Sequence, residues 1–162
     1  MTPKERIIAA LALRPPDDIV ATFEFSFALT QELSGRDFID LGGLTGTALD
    51  RGIKQNAELH IEQAERLDWS VITESHPQVI RELVRMGADK TYLIAVKNGD
   101  RTYRIAGENA DSMIAHFYDQ PDEFKRQLEK DTDAVIEASK RLTDAGAACF
   151  VMGADYAGNR GP

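Results

Sequence analysis

Residues 69–87, WSVITESHPQVIRELVRMG, contain a strand, a short polar loop and a helix in direct succession. The apolar run Trp69–Thr73 is short and contains β-branched residues, which is typical of a buried strand. Pro77 suits the first turn of the helix, and Gly87 lies just past its end at Met86. A strand that leads directly into a helix is the repeating unit of a parallel sheet, so this stretch predicts an α/β fold.

Before this unit, the sequence predicts a helix, a strand and two further helices. Thr2-Pro3-Lys4-Glu5 has the residues of a capping box at a helix start. Ile19–Phe25, IVATFEF, is β-branched and aromatic, and we predict that it is the first strand. A short helix over Phe27–Leu33 follows, and apolar residues at three- and four-residue steps predict a long helix that begins at Thr47 or Asp50 and ends at Leu67.

After this unit, the predicted order is a hairpin, two helices and a last strand. Asn98-Gly99 is a strong turn signal between two β-like runs, Thr91–Val96 and Thr102–Ile105, and predicts a β-hairpin insertion. The later elements are two helices and a strand, over Asp111–Tyr118, Pro121–Ala145 and Ala148–Gly153. The inner side of the longer helix is predicted to carry Phe124, Leu128, Val135, Ile136 and Leu142. Strands separated by helices predict one domain with parallel pairing.

The composition limits the classes of protein that this chain can be. Its 162 residues, 43% apolar and 28% charged, are enough for one globular domain with a buried core. A net charge of −8 argues against a nucleic-acid partner and against docking to an anionic membrane. We find neither a signal-peptide pattern nor an apolar run near the ~20 residues of a membrane span, and therefore expect a cytoplasmic protein. One cysteine, Cys149, excludes an internal disulfide.

Three stretches together resemble the uroporphyrinogen decarboxylase superfamily. They are MTPKERIIAAL at 1–11, FEFSFALTQELSGRDFI at 23–39 and RLTDAGAACFVMGADYAGNRGP at 141–162, in the order that the superfamily has them. Members of the superfamily are (β/α)8 barrels of eight strands. The resemblance therefore implies the N-terminal portion of a TIM (β/α)8 barrel, incomplete, as a single partial domain over residues 1–162.

The resemblance also implies two related activities. The superfamily includes tetrapyrrole decarboxylases and cobalamin-dependent methyltransferases that pass a methyl group to coenzyme M. The parent activity would be decarboxylation of a porphyrinogen or corrinoid-linked methyl transfer, with a tetrapyrrole or corrinoid as the bound small molecule. The decarboxylases have an arginine soon after the first strand, whereas here no arginine follows the predicted first strand until Arg36, which favours the methyltransferase-like branch. We expect no cofactor within this chain; zinc or a corrinoid would belong to a full-length methyltransferase-like parent.

The catalytic candidates follow the predicted strands, because chemistry in such barrels takes place at the C-terminal strand ends. They are Asp155 and Tyr156 after the last strand and Glu74 after the second. Asp155 can position a cation or a donor, and Tyr156 can donate to a developing anion. The alternative is a loop anchor, with the aspartate capping its own turn. The resemblance places an aspartate of the superfamily near Thr73-Glu74, and Glu74 keeps the carboxylate but is one methylene longer.

Four further residues are predicted to bind substrate: Glu24, His76, Asn159 and Arg160. Glu24 interrupts an apolar run and is either a pocket acid or the partner of Lys54 or Arg66. His76 and Glu74 together could perform acid–base chemistry, or the same loop could cap the following helix. Asn159 and Arg160 follow the last strand, where the arginine could meet a ligand carboxylate.

The remaining interpretations are less specific. His60, between Glu58 and Glu62, is interpreted as a solvated surface residue, and no metal site is predicted within this chain. The isolated chain is expected to be inactive. The alternative function is a non-catalytic truncated protein or interaction module, a homo-oligomer that self-associates through open sheet edges.

Overall fold

The computed structural model describes residues 1–15, 17, 19–24, 27, 29–97 and 110–151. In these ranges helices and strands alternate, which confirms the α/β prediction. The elements are α1 (Pro3–Leu11), α2 (Thr30–Ser34), α3 (Gly46–Arg66), β1 (Val71–Thr73), α4 (Pro77–Arg85), α5 (Ala88–Thr91), β2 (Leu93–Lys97), α6 (Ala110–Asp119), α7 (Pro121–Ala145) and β3 (Cys149–Val151).

The three strands form one parallel sheet in the order β1-β2-β3. Val71 of β1 is opposite Leu93 of β2, and Ala95 of β2 is opposite Cys149 of β3. The strand–helix unit over residues 69–87 is therefore confirmed as the beginning of this sheet. Because β2 pairs with a strand on each side, it is the inner strand of the sheet. The second arm of the predicted hairpin, Thr102–Ile105, lies outside the described residues.

Helix ends follow the local signals in the sequence. The Thr2 hydroxyl accepts a hydrogen bond from the Glu5 backbone N–H at 3.2 Å, and the Thr2 N–H donates to the Glu5 carboxylate at 2.8 Å. Helix α4 begins at Pro77, and α7 spans the predicted residues and ends before Gly146. Gly146 has φ +119°, a conformation that a residue with a Cβ rarely adopts.

Alternating side chains of the sheet belong to two different apolar clusters. Ile72, Ile94 and Val96 pack against helices α3, α4 and α7. Val71, Leu93 and Ala95 point to the other face and pack with Ile7 of α1, the helix that covers this face in the described part. This period of two explains why the strands read as continuous apolar runs, since both of their faces are covered.

The first predicted strand, Ile19–Phe25, is wrong in the part that the structure describes. Residues 19–24 lie beside β1 without forming a regular strand. The Ser70 N–H donates to the Thr22 carbonyl at 2.7 Å, and the Thr73 hydroxyl donates to the Glu24 carbonyl at 3.1 Å. Val20 and Phe23 are exposed. High β-propensity needs a ladder and a buried face to form a strand, and these residues have little of either.

Helix α7 is buried for only part of its length. Leu142 is in the core, whereas Phe124, Leu128 and Val135 are half-buried and Ile136 is exposed. A helix of 25 residues is about 37 Å long, while a strand of three to five residues spans about 10–17 Å. The helix therefore extends beyond the sheet, and its first half packs against α6, where the rings of Phe117 and Phe124 are 5.5 Å apart.

The described part of the chain has a three-stranded parallel sheet with helices in its crossovers, fewer strands than the eight of a closed barrel. Among the described residues, no helix is both long and apolar enough to span a membrane.

We predict that Gly146→Ala destabilises the protein more than Gly35→Ala. Both glycines have positive φ, so both alanines introduce backbone strain of about 1–2 kcal/mol. A Cβ on Gly146 would also lie 2.5 Å from Cγ2 of Val84, whereas a Cβ on Gly35 would meet nothing within 4 Å. Overpacking against a stiff valine adds about 1–3 kcal/mol. Urea unfolding of both variants measures the difference; equal losses would show that the close contact is not limiting.

Candidate functional site

A cavity of about 180 Å³ lies beside β1 and reaches the carboxyl end of this strand. Segments that precede the sheet, helix α3 and β1 all contribute to its wall. The lining residues are Glu24, Phe27, Phe38, His60, Gln63, Trp69, Ile72 and Thr73. In α/β proteins, ligands bind outside the carboxyl ends of parallel strands, which makes this cavity the candidate site.

A carboxylate and an imidazole meet directly behind this wall. Oε2 of Glu74 lies 3.0 Å from Nε2 of His60, which joins the loop after β1 to helix α3. The second carboxylate oxygen, Oε1, accepts the backbone N–H groups of Ser75 at 2.5 Å and His76 at 2.7 Å. The His60 and Glu74 side chains are only 14% and 16% exposed. Glu74 is therefore fully engaged and tightly held.

The environment of Glu74 favours its ionised form. Burial raises the pKa of the carboxyl group, but the hydrogen bond and charge of His60 and the two backbone N–H donors lower it by more. The net pKa of Glu74 lies below its ordinary value of 4.5. The group is consequently a carboxylate at neutral pH and accepts hydrogen bonds without donating any.

The interpretation of His60 as a solvated surface residue is wrong. Its ring is half-buried, bonds to Glu74 and packs on Phe38 with a centroid distance of 4.5 Å. The neighbouring acids that suggested a charged face, Glu58 and Glu62, bind Arg36 at 3.8 and 3.0 Å instead. One sequence signal points to His60: with Ile53, Ala57 and Ala64 it follows the three- and four-residue spacing of the buried side of α3.

His76 does not share the cavity with Glu24 and His60. It precedes helix α4 and lies on a second, more open cavity of about 390 Å³, together with Arg81 and Arg141. Its backbone N–H, rather than its ring, contacts Glu74. Of the two interpretations of this loop, the structure bears out the one in which Glu74 satisfies backbone donors before α4.

Glu24 was predicted to bind substrate, and it lines the candidate cavity, as this role requires. Its side chain is exposed, and its backbone carbonyl is tied to Thr73. Its suggested partners are engaged within α3, where Lys54 pairs with Glu58 at 3.8 Å and Arg66 pairs with Glu62 at 3.4 Å. The cavity thus brings together Glu24 and His60.

Four of the candidate site residues lie outside the described residues. These are Asp155, Tyr156, Asn159 and Arg160, and their roles stay predictions. The described part of the chain has no group of three His, Cys, Asp or Glu side chains placed to hold a metal ion.

Comparisons with known proteins leave the family open. No protein-family model matches this chain, no curated protein matches it significantly, and no solved structure matches it significantly. The resemblance to the uroporphyrinogen decarboxylase superfamily stays a prediction from the quoted stretches.

We predict that Glu74→Gln lowers the free energy of unfolding by about 1–3 kcal/mol near pH 7, because it removes a buried, charge-assisted hydrogen-bond acceptor. Since the folded-state pKa of Glu74 is lowered, its contribution is complete above about pH 4.5 and is lost as the pH falls through the folded-state value. The difference between wild type and variant should therefore narrow in acid.

Urea titrations at several pH values between about 3 and 7 measure this difference. Glu129→Gln is the matched control, because Glu129 is exposed on α7 and should change stability little at any pH. A Glu74→Gln effect that stays constant as the pH falls would contradict the assigned role of the carboxylate.

Proposed function

We propose that this chain is part of a (β/α)8-barrel enzyme of the uroporphyrinogen decarboxylase superfamily and binds a tetrapyrrole or corrinoid at the carboxyl edge of its sheet. The single observation that carries the proposal is the His60–Glu74 pair, which backs a cavity next to the carboxyl end of β1. A buried acid–base pair at this edge is the kind of arrangement that barrel enzymes use.

The arrangement of the sheet supports a barrel. Its strands are parallel and adjacent in chain order, and the long helices pack on one face. In a barrel, consecutive strands are neighbours and all crossover helices lie outside. A doubly wound sheet instead has crossover helices on both faces and a reversal of strand order, whereas the crossover helices α4 and α7 pack on the same face here. On this proposal, the face of Val71, Leu93 and Ala95 is the barrel interior, with α1 across its beginning.

The size of the cavity limits what it can hold. About 180 Å³ is less than the roughly 300–1,000 Å³ of a site that encloses a whole drug-sized ligand. The cavity would hold one ring of a tetrapyrrole, and the rest of the ligand would contact other residues. Asp155, Tyr156, Asn159 and Arg160 are our candidates for those contacts, from their positions after the last strand.

Arg36 supports the methyltransferase-like branch over the strict decarboxylase. It is the first arginine after Glu24, and it is held by Glu62 at 3.0 Å and Glu58 at 3.8 Å. An arginine committed to two acids is less available to a substrate carboxylate. A multiply anionic porphyrinogen would need forked arginine donors, which favours corrinoid-linked methyl transfer.

The second candidate function is a self-associating, non-catalytic module. In the described residues, β3 pairs with β2 on one side, and Cys149 and Val151 are only partly buried. Ile114, Phe117 and Tyr118 on α6 are also exposed. Open strand edges and apolar surface favour association between copies of the chain.

We expect absorbance titration of the 162-residue chain with uroporphyrin or hydroxocobalamin to show saturable binding of at least one of them. His60→Gln should weaken that binding about tenfold, as the loss of one good hydrogen bond predicts. His116→Gln is the matched control, because its ring packs on Phe124 and does not line the cavity.

The outcomes separate the two functions. Saturable binding that depends on His60 supports the enzyme. Absence of binding to either compound, with sedimentation showing an oligomer, would overturn it in favour of the interaction module.

A further inference from the structure

We infer that the cavity recognises a small flat ring through an N–H or O–H donor, that Nδ1 of His60 accepts this hydrogen bond, and that Glu74 is the positioning residue. The inference rests on the proposed function in taking this cavity as a ligand site. It goes further in naming the accepting atom and the chemistry of the ligand.

The partner of Nε2 determines the tautomer of His60. An ionised carboxylate has no proton to share, so the ring nitrogen 3.0 Å from Oε2 of Glu74 must carry a hydrogen. In its neutral form, with the hydrogen on Nε2, the ring has a lone pair on Nδ1, and the ligand binds to this form; the protonated ring donates from both nitrogens. Nδ1 makes no hydrogen bond to any residue that the structure describes. It is therefore available to accept a donor from a ligand.

Glu74 acts through His60 rather than on the ligand. It is not among the residues that line the cavity, and both of its oxygens are occupied. Turning the carboxylate towards the cavity would leave the N–H groups of Ser75 and His76 without their acceptor. The ring of His60 is held on its other side by Phe38 at 4.5 Å. An imidazole fixed by a carboxylate in this way is oriented before a ligand arrives.

The remaining walls indicate the shape of the ligand. Phe27, Phe38 and Trp69 contribute aromatic surface, and the rings of Phe27 and Trp69 meet edge to face at 5.3 Å. Aromatic walls around about 180 Å³ suit one flat ring system. The carboxyl group of Glu24 lines the same space, and this disfavours an anionic ring as the ligand.

The tautomer is measured directly by long-range ¹H–¹⁵N NMR of the imidazole at pH 8, where histidine side chains are ordinarily neutral. We expect a hydrogen on Nε2 in the wild-type chain. In Glu74→Gln, the amide oxygen keeps the two backbone N–H donors and its NH₂ group faces Nε2, so we expect the hydrogen to move to Nδ1. Glu129→Gln is the control and should resemble wild type. A wild-type ring with its hydrogen on Nδ1 would overturn the inference.

The ligand chemistry is tested with indole and benzofuran, which have the same shape but differ in one N–H donor. We expect the wild-type chain to bind indole about tenfold more tightly than benzofuran, with indole shifting the Nδ1 resonance of His60. Glu74→Gln should lose or reverse this preference. The wild-type comparison needs no variant and therefore stands even if Glu74→Gln does not fold.

The failures of the two proposals are distinguishable. If indole and benzofuran bind equally, or neither binds, while uroporphyrin or hydroxocobalamin still binds, only the inference about His60 fails. If indole is preferred but neither large compound binds, the cavity has the inferred chemistry and the superfamily function fails.

Discussion

The carboxylate of Glu74 connects the loop between β1 and α4 to helix α3, which lies earlier in the sequence. Its oxygens receive His60 from helix α3 and the backbone N–H groups of Ser75 and His76, which lead into helix α4. Without this acceptor, a buried imidazole and two backbone donors would lose their partner together, and each such loss is costly away from water. The cavity wall on the α3 side depends on this contact, because it determines where the ring of His60 lies.

The two-sided burial of the sheet explains the position of the cavity. One face packs against α3, α4 and α7, and the other packs against Ile7 of α1. With both faces covered, the open positions next to β1 are its carboxyl end and the edge beside residues 20–24. Those residues contribute single hydrogen bonds to Ser70 and Thr73 rather than a ladder, so space for a cavity remains between them and α3.

The sequence predicted the elements whose causes are local. Helix ends depend on interactions within a few residues. Each of the predicted end signals was found at a helix end: the capping box of Thr2 and Glu5, the proline at the start of α4 and the glycine at 146. The strand predicted over residues 19–25 did not form in its described part, because strand formation depends on pairing and burial. The interpretation of His60 as a surface residue failed for a similar reason. Its neighbours in the sequence are acids, but its hydrogen-bond partner, Glu74, comes from another element.

The length of the Glu74 side chain connects the resemblance to the chemistry of the site. In the superfamily that the sequence resembles, an aspartate is expected near this position. The Glu74 side chain is one methylene longer, and its carboxylate folds back onto the N–H groups of residues 75 and 76 while reaching α3. A carboxylate used in this way supports a neighbouring group instead of facing the ligand. The group that then lines the cavity is the imidazole of His60, whose Nε2 lies 3.0 Å from the carboxylate. On the proposed function, one methylene thereby places the ligand-facing group on the helix and leaves the carboxylate at the strand end as its support.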